Sequence, residues 1–98
     1  MMTIEQKSAT ELTINGNIKT IDDSIALRAA VQKLVEGGCS GVVLRIPDSF
    51  AMPSAVIGYL MKLVNRDKVH LNIIAGDKRL RELLDELQLT ELFGVRGR

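Results

Sequence analysis

The chain has 98 residues, 46% of them apolar and 26% charged, with a formal net charge of +1 at pH 7; this length suits one domain, residues 1–98, near the lower size limit for a core without staples. The balanced charge and an aromatic set of only Phe50, Tyr59 and Phe93 leave little for phosphate contacts or base stacking, and argue against a nucleic-acid partner. A single cysteine, Cys39, excludes an intramolecular disulfide and a cysteine-built metal cluster, and fits a reducing compartment.

The opening "MMTIEQKSATEL" lacks the basic head and apolar run of a secretory signal. No apolar run approaches the ~20 residues of a membrane helix. The expectation is a soluble, cytoplasmic protein with no membrane span. "TIEQ" and "ELTINGNI" flank the polar turn "KSAT", and Leu12, Ile14 and Ile18 alternate with polar residues, which predicts a short antiparallel hairpin. "NGN" at 15–17 reads as a turn, a strand end or a bulge at Gly16. In "TIDDSIALRAAVQKLVEGG", Asp22, Asp23 or Ser24 can cap a helix over 23–36. Its apolar stripe is Leu27, Ala30, Val31 and Leu34, and the glycine pair stops it.

"GVVLRI" is continuous, short and β-branched, the pattern of a strand buried on both faces. "PDSFAMP" is a connection, and Pro53 suits a first helical turn because its missing N–H is harmless there. A helix over 54–65 turns Val56, Ile57, Leu60 and Leu63 or Val64 to one side. "RDK" ends it and "VHLNIIA" gives another strand. "GDKRLRELLDELQL" predicts a helix over 77–88 with the stripe Leu80, Leu83, Leu84 and Leu87, and Asp77 at the favourable end of its dipole. A short edge strand near 93–95 precedes a basic, glycine-containing tail. The order β-β-α-β-α-β-α-(β) implies an α/β fold, with right-handed crossovers joining parallel strands and the hairpin making the sheet mixed.

Groups that could converge for catalysis are few. There is no phosphate loop and no dinucleotide glycine fingerprint. His70 stands alone on an apolar strand, where a structural or solvent-facing role outweighs a catalytic one. Asp22 and Asp23 read as a helix start, and Glu82, Asp85 and Glu86 as a solvated helix face. The expectation is a binding protein and not an enzyme, with no metal and no cofactor. Phe50 and Met52 are apolar groups without a periodic role, so they either face a partner or plug the core edge. Ser54 is either a plain helix start or a hydroxyl placed for modification.

"VVLRIPDSFAMPSAVIG" resembles, without a gap, the middle of the STAS domain, VVLDLS-x-V-x-x-IDSSGLG, as found in the bacterial anti-sigma factor antagonists. "LTINGNIKTIDDSIALRAAV" is similar to that family's opening strand and first helix, and "KVHLNIIAGDKRLRELLDELQLTELF" to its closing strand, turn and helix. The resemblance covers nearly the whole chain and implies a STAS-like mixed sheet with packed helices. It places the family's phosphorylated serine on Ser54 and keeps the last glycine as Gly58. Ala55, Val56 and Ile57 replace the intervening residues, while Pro53 and Arg45 stand where the pattern has acids. The implied function is a partner-switching regulatory module controlled by reversible serine phosphorylation. Its implied partners are an anti-sigma factor serine kinase and a serine phosphatase, and a homodimer is left open. The alternative is an unphosphorylated STAS scaffold, or an accessory subunit of a stressosome-like complex or a transporter ATPase. The expected partner face comprises Asp48, Ser49, Phe50, Met52, Pro53, Ser54, Ala55 and Gly58.

Overall fold

The computed structural model describes residues 2–97. Among these the chain runs β1 (Thr3–Gln6), β2 (Glu11–Asn15), α1 (Ile21–Glu36), β3 (Gly41–Ile46), α2 (Ser54–Asn65), β4 (His70–Ala75), α3 (Lys78–Glu86) and β5 (Val95–Arg96). The strands lie side by side in chain order, with β1 antiparallel to β2 and the rest parallel. The expected element order and mixed sheet are both present.

Strand order dictates where the core sits. Each parallel connection steps to the next strand in the same direction, and right-handed crossovers then put every helix on one face of the sheet. The burial pattern agrees. Leu12, Ile14, Val42, Leu44, Ile46, Leu71, Ile73 and Ala75 are buried and alternate along their strands with half-buried or exposed residues. β3 is therefore covered on one face only. Arg45 is exposed and Val43 half-buried, so the expectation of a strand buried on both faces is wrong. A parallel strand needs burial on both faces only when helices cross on both sides, and here they do not.

The open face is polar and paired within itself. Register aligns Thr13 with Arg45 and Arg45 with Ile74. Arg45 Nε donates to Glu11 Oε2 at 2.6 Å. Lys7 donates to Glu5 at 2.9 Å and holds its carboxyl below the ordinary value. His70 is exposed on β4.

Against the other face, α1 packs Leu27, Val31 and Leu34, α2 packs Val56, Leu60 and Leu63, and α3 packs Leu80 and Leu84. The cap of α1 differs from expectation. Thr20 is the N-cap: its hydroxyl accepts the Asp23 N–H, and the Asp23 carboxylate accepts the Thr20 N–H, each at 3.0 Å. Asp23 thus sits in the third helical position of a capping box, and the helix begins two residues before the expected 23. At the other end Gly38 takes φ +97°, the left-handed stop expected of the glycine pair. α3 is shorter than expected, and Leu87 lies past its end and is exposed. Phe93, expected in the edge strand, is instead fully buried ahead of β5.

Two substitutions test this packing. Leu84 is fully buried, so Leu84→Ala should lower unfolding stability by ~2–5 kcal/mol in a denaturant titration. A Cβ on Gly76 would lie 2.7 Å from the Pro47 carbonyl oxygen and 2.9 Å from its Cα, both backbone atoms. Gly76→Ala should therefore cost about 1–3 kcal/mol, read in the same titration.

Candidate partner-binding site

The carboxyl ends of β2, β3 and β4 gather the segments after Asn15, Ile46 and Ala75, the end of a parallel sheet where binding sites collect. The segment after β3 is tied down rather than loose. Ser49 is fully buried. Its Oγ accepts the Ile18 N–H at 3.1 Å and donates to the Ala51 carbonyl at 2.6 Å. The Phe50 N–H donates to Asn17 Oδ1 at 3.1 Å. Met52 is buried and joins the core. Ser49 and Met52, expected on the partner face, therefore lie inside: one is a polar staple and the other the plug. Asp48 and Phe50 remain exposed and Pro53 is half-buried.

Phe50, 39% exposed, is covered on one side by a cation. The Arg79 guanidinium carbon lies 4.9 Å from its ring centroid. Asp77 holds that guanidinium through Nε to Oδ1 at 3.1 Å and a terminal nitrogen to Oδ2 at 2.8 Å. Oδ1 also accepts the Arg79 N–H, which caps α3. The Arg79 side chain, and then its backbone N–H, hold the Asp77 carboxyl below its ordinary 3.8. One acid thus starts the helix and aims the cation at Phe50.

Pro53 is the N-cap of α2 and makes no side-chain cap bond, one position earlier than the expected place in the first turn. Ser54 is the first helical residue, so it is not the cap. The Val56 and Ile57 N–H groups both bond the Pro53 carbonyl, at 3.0 and 3.1 Å. Ser54 is exposed, and none of the hydrogen bonds among the described residues uses its hydroxyl. It lies in a groove of about 310 Å³ between α1 and α2, with Lys19, Ile21, Ile25, Arg28, Pro53 and Ala55 around it. The groove continues past Gly58 and Tyr59 to Lys62. Arg28 reaches over the Tyr59 ring, 5.8 Å from its centroid.

Of the expected partner face, the structure brings Pro53, Ser54, Ala55 and Gly58 together along this groove and leaves Asp48 and Phe50 on the neighbouring loop. The groove's other wall was missed. Ile21 and Ile25 are 80% and 58% exposed, lying off the Leu27–Val31–Leu34 stripe. Two isoleucines four apart and out of phase with the buried stripe are a signal the sequence contains. The Asp77–Arg79–Phe50 contact has no such signal, because a turn of the tertiary fold assembles it. Arg45 lies on the open sheet face with Glu11, away from the groove.

Three outcomes are expected. Ser49→Ala removes the partner of the buried Ile18 N–H and should cost about 1–3 kcal/mol in a thermal or denaturant melt. A Cβ on Gly58 would meet nothing within 4 Å, so Gly58→Ala should stabilise the fold by about 0.5–1 kcal/mol in the same assay. The Asp77 carboxyl is lowered in the folded state, so the stability it contributes is complete above pH 3.8 and is lost as pH falls through the lowered value. Asp77→Asn should flatten that acid limb of the stability–pH curve.

No family model matches the sequence, and no curated protein matches it. In three dimensions the whole chain superposes on 86% of an anti-sigma factor antagonist from Mycobacterium paratuberculosis, with a TM-score of 0.77 at 14% identity. It also superposes over its full length on 88% of the anti-sigma factor antagonist SpoIIAA in its unphosphorylated form, with a TM-score of 0.72 at 10% identity. The sheet order, the three helices and the full-length superpositions together assign this chain the STAS fold of the anti-sigma factor antagonists.

Proposed function

We propose that this chain is a regulatory protein-binding module of the anti-sigma factor antagonist kind, switched by reversible phosphorylation of Ser54. The observation that carries the reading is the state of Ser54 itself. It is exposed, its hydroxyl makes no hydrogen bond among the described residues, and it stands at the first position of α2 on a STAS fold. The structural neighbour SpoIIAA is an anti-sigma factor antagonist in its unphosphorylated form. A phosphate on Ser54 adds about −1.5 to −2 charges at the positive end of the α2 dipole. The helix tolerates that charge, so the modification alters the surface and leaves the fold intact. The partners would be a serine kinase that is itself the anti-sigma factor, and a phosphatase that restores binding. Asp48, Phe50, Pro53, Ala55 and Gly58 are the exposed or half-buried residues of that face.

Pro53 favours a second reading, a scaffold that is never phosphorylated. It replaces the acid that precedes the serine in the STAS pattern, and with it part of a kinase recognition signal. Arg45 does not add to that case, because it faces away from Ser54.

Phosphosite mapping of the protein from its own cells separates the two readings, together with partner capture by wild type, Ser54→Ala and Ser54→Asp. The switch predicts phosphate on Ser54, full binding by Ser54→Ala and weakened binding by Ser54→Asp. Since Ser54 caps nothing, Ser54→Ala should change stability by less than about 0.5 kcal/mol. No phosphate under any growth condition, with Ser54→Asp binding as wild type, would establish the scaffold.

A further inference from the structure

The groove beside Ser54 has a chemistry that its own chain does not satisfy. Its cations are Lys19, Arg28 and Lys62, and no acidic residue lines the stretch between them. The ion pairs among the described residues are Lys7–Glu5, Arg45–Glu11, Lys78–Glu82 and Arg79–Asp77, so none of the three groove cations is used. Its apolar wall is Ile21 and Ile25, the most exposed large apolar residues among those described. Its floor carries Gly58 in a helix interior, where glycine is unfavourable, and a Cβ there would touch nothing. Internal packing therefore gives no reason for that glycine. A missing side chain on an exposed helix lets a second helix come close.

Resting on the reading of Ser54 as the switch, we propose that the α1–α2 groove receives an acidic amphipathic helix of the protein partner. Its apolar side lies on Ile21, Ile25 and Ala55 and crosses Gly58, and its carboxylates meet Lys19, Arg28 and Lys62. The walls are two helices with no strand edge between them, which suits a helix laid in a groove rather than an added strand. The cations flank a concave apolar strip, and acids resume beyond it at Glu36 and Asp67. That confined patch fits a short acidic segment better than an extended anionic membrane.

The charge order also gives the direction of the switch. Lys19, Arg28 and Ser54 line one hollow. A phosphate on Ser54 would neutralise those cations and repel the partner's carboxylates, so phosphorylation releases the helix. Arg28, held over Tyr59, is the cation placed to respond to either anion.

The test titrates the full, unphosphorylated chain with a synthetic helical peptide that has leucines on one face and glutamates along its flanks. A second peptide carries lysines in place of the glutamates. Backbone amide shifts in NMR report the site. The glutamate peptide should move the amides of Ile21, Ile25, Ala55 and Gly58, and added salt should weaken it. The lysine peptide should leave those amides unmoved. Arg28→Glu should weaken binding about tenfold or more, the scale of one close charge contact. Gly58→Leu should block binding with the melting temperature retained, which separates a filled groove from a lost fold.

Equal binding of both peptides, or no shift at the groove, overturns the proposal. Shifts that follow protein concentration alone would make the occupant a second copy and overturn it too. So would groove shifts produced by phosphatidylglycerol vesicles but not by the glutamate peptide. None of these results depends on finding phosphate on Ser54, so failure of the switch and failure of the groove are read separately.

Discussion

Every helix of this protein lies on the same side of its sheet, and most of the structure follows from that. Strands laid down in chain order, joined by crossovers of one hand, cannot place helices on both faces. The central strands therefore need one apolar face and one polar face. The apolar residues of β2, β3 and β4 meet the stripes of α1, α2 and α3 in one cluster, with Phe93 fully buried within it. The uncovered face is kept in water by paired charge, Glu11 with Arg45 and Glu5 with Lys7. Surface pairs of this kind add little stability. Their value lies in keeping half-buried Val43 and Ile74 among polar neighbours, so the open face presents no wide apolar patch.

One-sided layering also leaves α1 and α2 adjacent, with their outer flanks forming a groove. What fixes the mouth of that groove is a small polar staple. Ser49 is the only buried polar residue among those described, and it bonds the backbone on both sides of the crossing between the β2 and β3 ends. Asn17 adds a second link to the same segment. Gly76 lets the turn after β4 press against Pro47 from the other side. Held at three points, the segment delivers Pro53 in extended conformation, and α2 starts at Ser54.

The groove and the serine belong together because the same helix end supplies both. Position one of α2 is open to solvent and near the positive end of a dipole, and the residues one and four further on are small. Across the gap, α1 turns its out-of-phase isoleucines and Arg28 to the same hollow. An anion on the serine and an acidic partner would compete for one set of cations. Under that proposal a phosphate on Ser54 and an acidic partner lie within reach of the same electrostatics, and neither requires the core to move. The loop carrying Phe50, braced by Arg79 and Asp77, sits beside this arrangement as an apolar edge.

The sequence alone determined the order of elements, the hairpin, the bounds of α2 and the stripes of the helices. These depend on local periodicity and on turn residues, which act over a few positions. The proposed role of Ser54 comes from the resemblance of its neighbouring residues to a family pattern. The sequence misjudged β3, because a run of apolar residues reads the same whether one face is covered or two, and the hand and direction of the crossovers decide which. A connection without periodicity does not reveal which side chains turn inward: Ser49 was expected on the partner face and Met52 was open between that face and a core plug, yet both are buried. Leu87 fell off the α3 stripe because the helix ended just before it. The Thr20–Asp23 capping box and the out-of-phase pair Ile21 and Ile25 are local patterns that the sequence carries, whereas the Asp77–Arg79–Phe50 contact was decided by tertiary structure alone. That contact depends on where a distant loop comes to rest, and the position is set only once the whole sheet has closed on its core.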